Sequence, residues 1–126
     1  MARRKTAHMG QLLHSEVWPD FFRGIELATT GTLATVCVLD AQGETRYTRS
    51  PARTLRAIHY DAERDVVELG VGGESNCGPA LRYFISSPRR IIVEDASLES
   101  RVVIEDERGQ LTAIALRCEE QVAQTA

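Results

Sequence analysis

Apolar and polar positions along this chain follow two different periods. Trp18, Phe21, Phe22 and Ile25 stand at i, i+3, i+4 and i+7, one face of a helix. Pro19 falls in the first turn, where the early N–H groups have no intrahelical partner to lose, and Asp20 sets a negative charge at the positive end of the helix dipole. Thr29-Thr30-Gly31 ends that helix, with Gly31 suited to a left-handed C-terminal position. Beyond Gly31 the period shortens to that of strands. Leu33–Leu39, Glu44–Arg49, Leu55–Tyr60 and Val66–Val71 read as four strands, separated by the turn Asp40-Ala41-Gln42-Gly43, the break Ser50-Pro51 and the charged turn Asp61–Asp65. After the glycine-rich segment Gly70–Gly78, Pro79 opens a short helix whose Leu81, Phe84 and Ile85 share a face, ending at Ser86-Ser87-Pro88. Arg90–Glu94, Glu99–Glu105 and Gln110–Arg117 complete the set as three strands, the last two joined through Asp106-Glu107-Arg108-Gly109.

Short connections throughout favour antiparallel pairing over the long crossovers that parallel strands need. The expected fold is α+β: an N-terminal amphipathic helix on a curved, mainly antiparallel sheet of about seven strands, or in the mouth of a small barrel, with a short helix between strands four and five. Residues 1–12 read as a mobile basic tail, 13–118 as a single domain and 119–126 as a polar tail.

Four runs, Trp18 with Phe21-Phe22, Ala34-Thr35-Val36 with Leu39-Asp40, Ala57–Leu69, and Ile85–Val93, resemble a small bacterial family, the domain of unknown function 5335. The resemblance spans Trp18 to about Arg117, and its distinctive parts are the tyrosine–aspartate turn with the acidic strand after it and the isoleucine–proline step before a β run. The family has no assigned activity, so the resemblance implies domain boundaries and leaves function open. The Gly72–Gly78 loop is longer than the family's connection, and Tyr83 stands where the family has a histidine, which separates this chain from any site shared at that segment.

Composition narrows the field of functions. A chain of 126 residues with 43% hydrophobic residues has a core large enough to fold without disulfide or metal staples. The Arg3-Arg4-Lys5 start is not followed by an apolar run, so the expected location is the cytoplasm, with no membrane association. The net charge of −3 is unevenly spread: residues 1–10 hold three bases and no acid, and residues 94–126 three bases and eight acids. Cys37, Cys77 and Cys118 are odd in number and lack the close spacing of a zinc or redox pair. Cys37, inside an apolar run, reads as a small core hydrophobe. Cys77, just before the expected helix start, is the candidate reactive thiol, since a helix N-terminus stabilises a thiolate.

Other candidate chemistry is weaker. Asp61, Glu63 and Asp65 alternate like the first ligands of a calcium loop, but Val66 and Gly72 occupy the positions that need glycine and a bidentate glutamate, so the segment reads as a solvated turn. Gly70-Val71-Gly72-Gly73 suggests a phosphate cradle without the Lys-Ser/Thr of a P-loop; an anion there would draw on Gly72, Gly73, Arg82, Arg89 and Arg90. His59 lacks a visible orienting partner and reads as structural. The arginines Arg46, Arg49, Arg53 and Arg56 change strand parity, and only Tyr47 is interleaved with them, which argues against nucleic-acid binding.

The first expectation is therefore a non-catalytic cytoplasmic domain that binds a protein partner or forms a homodimer through a sheet edge or an apolar patch, with no cofactor or metal. The alternative is a small-ligand or anion-binding module using the Gly72–Gly78 loop and nearby arginines. The third reading is an enzyme using Cys77 or His59.

Overall fold

The period-3.6 stripe does form a helix. The computed structural model describes residues 10–73, 78–96 and 99–117. A 3-10 turn, Ser15–Val17, leads into helix α1, Trp18–Thr29. Trp18 and Phe22 are buried, and Phe21 and Ile25 pack against the same core. Trp18 meets Tyr60 edge-on at 5.4 Å between ring centroids, and its indole N–H donates to the Leu13 carbonyl at 3.3 Å. Past the helix, Gly31 takes φ +99 and hands its N–H to the Leu55 carbonyl at 2.9 Å. The left-handed residue thereby turns the chain from helix onto sheet.

Among the described residues, one strand ahead of the 3-10 turn and seven after α1 form one antiparallel sheet: β1 Gln11–Leu12, β2 Leu33–Leu39, β3 Thr45–Asp61, β4 Val66–Val71, β5 Leu81–Ser86, β6 Pro88–Ala96, β7 Glu99–Asp106 and β8 Leu111–Arg117. Their order is β1-β6-β7-β8-β2-β3-β4-β5. That order forces strong curvature. β6 and β5 are separated by six strand spacings, about 29 Å if the sheet were flat, yet Ser87 alone links them in the chain. Two Cα steps reach only about 7 Å, so the sheet must curl until the two strands meet at Ser87. This serine adopts φ +53 and donates its N–H to the Asp65 carbonyl at 2.8 Å. The curl stops short of a barrel, because β1 and β5 end the ladder without pairing with each other.

Strand β3 makes the bend. Its first part pairs with β2 and its last part, from Leu55, pairs with β4. The break expected at Ser50-Pro51 is instead a bulge within one strand: Ala34 faces Arg53 and Val36 faces Ser50, leaving Pro51 and Ala52 opposite Thr35. A proline fits there because its missing N–H is not needed in the ladder. Ser50 is fully buried, and its hydroxyl donates to the Pro51 carbonyl at 3.0 Å.

Two further expectations are corrected. The short helix expected between strands four and five is strand β5. Leu81, Phe84 and Ile85 satisfy a helical spacing, but the same segment alternates Leu81, Tyr83 and Ile85 with Arg82, Phe84 and Ser86, and β4 selects that period by pairing along its full length. Gln11 and Leu12, expected in the tail, pair with Val93 and Ile92. Merging two expected strands into β3 and adding β1 and β5 turns seven strands into eight. Residues 1–9 and 118–126 lie outside the described residues.

The concave side of the curl and α1 enclose one core, with Leu55, Ile58, Val67, Leu69, Ile91, Ile104 and Ile114 fully buried. On the convex side Leu39, Val103 and Ala113 form a second, smaller cluster with Cys37 and Leu111. Among the described residues no helix is long and apolar enough to cross a membrane.

Candidate functional site

Strand β5 ends the ladder, and its register against β4 runs without a shift from Val66↔Ser86 to Val71↔Leu81. The Ser87–Asp65 hydrogen bond sets the phase of that ladder. Antiparallel hydrogen-bonded pairs recur every second residue, so the main-chain groups of Ile85, Tyr83 and Leu81 turn toward β4. Those of Arg82, Phe84 and Ser86 turn outward, and no backbone partner for them exists among the described residues.

The side chains of the same three residues share the convex face. Phe84 is 52% exposed, Leu81 is exposed on the opposite face, and β5 contains no proline and one charge, Arg82. That charge is held within the molecule. Glu68 on β4 accepts a hydrogen bond from Arg82 Nη1 at 2.7 Å, and its other oxygen lies 3.1 Å from His59 Nε2. Cross-strand register explains the trio: His59 faces Glu68, which faces Phe84, and Arg82 sits one step along. Glu68 is thus the partner of His59 that sequence reasoning missed. It could have been found only by fixing the β3–β4 hairpin register through the Asp61–Asp65 turn.

Along the free edge runs a groove of about 240 Å³, with Phe84, Ile85 and Ser86 on one wall and Arg49, Arg108 and Gln110 on the other. The Arg49 guanidinium lies over the Tyr83 ring, 5.1 Å from its centroid, and Tyr83 Oη donates to the Arg49 carbonyl at 3.3 Å. These contacts hold β5 against the first part of β3. Arg108 also borders two neighbouring grooves, one of about 650 Å³ with Arg46 and one of about 450 Å³ with Arg89 and Ser87.

The remaining candidates disperse. Gly72 and Gly73 present carbonyls, not N–H groups, to a cation: Arg56 Nε donates to Gly72 O at 3.2 Å and Nη2 to Gly73 O at 2.6 Å. The Gly72 N–H is committed to the Thr54 carbonyl at 2.8 Å. Arg82 binds Glu68, Arg90 binds Glu105 at 2.7 Å on β7, and Arg89 borders the groove at Ser87. Arg82 and Arg90 are therefore held by carboxylates on different strands, apart from Arg89. Asp61 Oδ1 accepts the N–H groups of Glu63 and Arg64, and Asp65 Oδ1 accepts the Tyr60 hydroxyl at 2.6 Å, so two acids of the calcium-like turn serve the turn itself. Partial burial, then the hydrogen bond and charge of Asp65, with Asp61 adding, push the Tyr60 hydroxyl up to about 12. It is a fixed donor at neutral pH, not a base. Cys37 lies on the convex face with Sγ 3.8 Å from Thr48 Oγ1, not in the main core. Cys77 falls outside the described residues. His59 is exposed on a convex sheet face and borders none of the three grooves.

Comparison with protein-family models, with curated proteins and with solved structures finds no match for this chain.

Proposed function

We propose that this chain is a non-catalytic interaction domain whose working surface is the free edge of β5, to which an extended strand of another chain adds. The observation that carries this reading is an edge left uncovered among the described residues. Sheet proteins blunt their outer strands by making them short, bulged, proline-containing or strongly charged. β1, at the other end of the ladder, is only two residues long. β5 is six residues long, regular and proline-free, and its single charge is paired with Glu68. The energetics support an added strand. Each main-chain hydrogen bond contributes roughly 0.5–1.5 kcal/mol net, and covering the half-exposed Phe84 removes on the order of 100 Å² from water, about 2.5 kcal/mol. Sheet-edge recognition of this kind takes affinity from the backbone and specificity from alternate side chains.

A capped peptide of residues 80–87 is the direct probe. Titrated into isotope-labelled protein, it is expected to shift the amide resonances of Arg82, Phe84 and Ser86, and of Thr112 across the groove, and to leave those of α1 in place. Unchanged β5 amides at millimolar peptide overturn the reading.

A further inference from the structure

We infer that the strand received by β5 is β5 of a second copy of this chain, paired antiparallel about a two-fold axis at Phe84; this rests on the edge reading above. The outward main-chain groups belong to Arg82, Phe84 and Ser86, a set symmetric about its middle member. A two-fold axis at Phe84 therefore places Phe84 opposite its own copy, Arg82 opposite the second copy's Ser86, and Ser86 opposite the second copy's Arg82. All three are hydrogen-bonded pairs in register, each exchanging two N–H···O bonds. An isologous contact must be self-complementary, and this one is. Arg82 is the one charged residue of the strand, and the pairing sets it against a serine rather than another arginine.

The side chains agree with the backbone. Arg82, Phe84 and Ser86 share one face, so the two Phe84 rings become direct cross-strand neighbours on the convex surface, where each is now 52% exposed. The row His59–Glu68–Phe84 continues into the second copy in reverse order. Glu68 keeps Arg82 paired from within its own copy, 2.7 Å away. No carboxylate lies on the contacting strand.

The test uses the full chain and light scattering after size exclusion, from about 5 µM to about 500 µM, the range in which modest edge interfaces assemble. The wild type is expected to be a dimer at the upper end. Ser86→Glu faces Arg82 of the second copy twice and is expected to tighten the dimer, whereas Ser86→Arg is expected to weaken it, each by about 2- to 30-fold for two symmetric pairs. Ser86 is exposed, so at the dilute end of the range, where the chain is monomeric, both variants are expected to keep the wild-type melting temperature. A monomer throughout the range, a larger closed assembly, or a dimer indifferent to both substitutions overturns the proposal. If the chain is monomeric while the 80–87 peptide still shifts the β5 amides, the second copy is the wrong occupant and the edge reading stands. If neither associates, both fail.

Discussion

Replacing Tyr60 by phenylalanine tests whether the turn that carries β3 into β4 is held by one buried-side hydrogen bond. The hydroxyl donates to Asp65 at 2.6 Å, and Asp65 itself sits at φ +56, an uncommon conformation for a residue with a side chain. A bond to a charged acceptor is worth roughly 1.5–3 kcal/mol; because water reaches Asp65 in the variant, the expected loss for Tyr60→Phe near pH 8 is about 1.5 kcal/mol. The pH dependence is more diagnostic than the loss. Tyr60 ionises at about 12 in the fold against an ordinary value of 10.0. As pH rises through 10 the unfolded chain releases this proton first, so the stabilisation is fully present below pH 10 and declines between 10 and 12. Tyr60 is only partly buried and solvent screens these interactions, so the decline by pH 11 is expected to fall well below the roughly 1.4 kcal/mol that an unscreened group would give. The wild-type advantage over Tyr60→Phe should therefore be smaller at pH 11 than at pH 8. Urea unfolding followed by the fluorescence of Trp18, the single tryptophan and a direct neighbour of Tyr60, measures both variants at both pH values. A difference that stays constant from pH 8 to pH 11, or a wild-type-minus-variant absorbance titration centred near 10, refutes the reasoning.

Substitutions at four further positions probe the frame of the sheet. Gly70→Ala puts a Cβ 2.9 Å from Pro79 Cγ and 3.0 Å from its Cβ, so thermal unfolding is expected to show a loss of about 1–3 kcal/mol from overpacking; an unchanged melting temperature would mean that the entry to β5 yields freely. Ser87→Gly relieves the positive φ at the β5–β6 corner and is expected to be neutral to stabilising by up to about 1 kcal/mol, while Ser87→Val is expected to cost more than about 1 kcal/mol. The reverse order in chemical denaturation would contradict the tight corner. Asp40→Ala and Asp106→Ala each remove an oxygen that accepts two turn N–H groups, from Gln42 and Glu44 or from Arg108 and Gln110. Each is expected to lower stability by about 1–2 kcal/mol, with equal effects from the two turns.

Those two turns show what local sequence can reveal. Asp40–Glu44 and Asp106–Gln110 share the pattern Asp-x-x-Gly-x and the same bonds, and Gly43 and Gly109 share a positive φ. The Trp18 helix was equally readable, because its stripe, its proline and its stop signal agree. β5 was not. Leu81, Phe84 and Ile85 fit a helix as well as a strand over six residues, and only β4 decides between them. Pro51 misled for a related reason: a proline that ends an isolated strand is accommodated at a bulge within a paired one. The candidate site is a product of register. No local motif states that Glu68 reaches both Arg82 and His59, or that Arg82, Phe84 and Ser86 turn their backbones outward, because both facts depend on pairing across turns and on which strand ends the sheet.

Amide hydrogen exchange read residue by residue along β5, at low and high protein concentration, tests the edge most directly. Tyr83 and Ile85 point their N–H groups at β4 and are expected to be protected at both concentrations. Arg82, Phe84 and Ser86 are expected to exchange freely when dilute and to become protected when concentrated, giving an alternating pattern that flattens as the edge is filled. Protection that is uniform along the strand, or alternating but independent of concentration, would contradict a free edge that takes up a second strand.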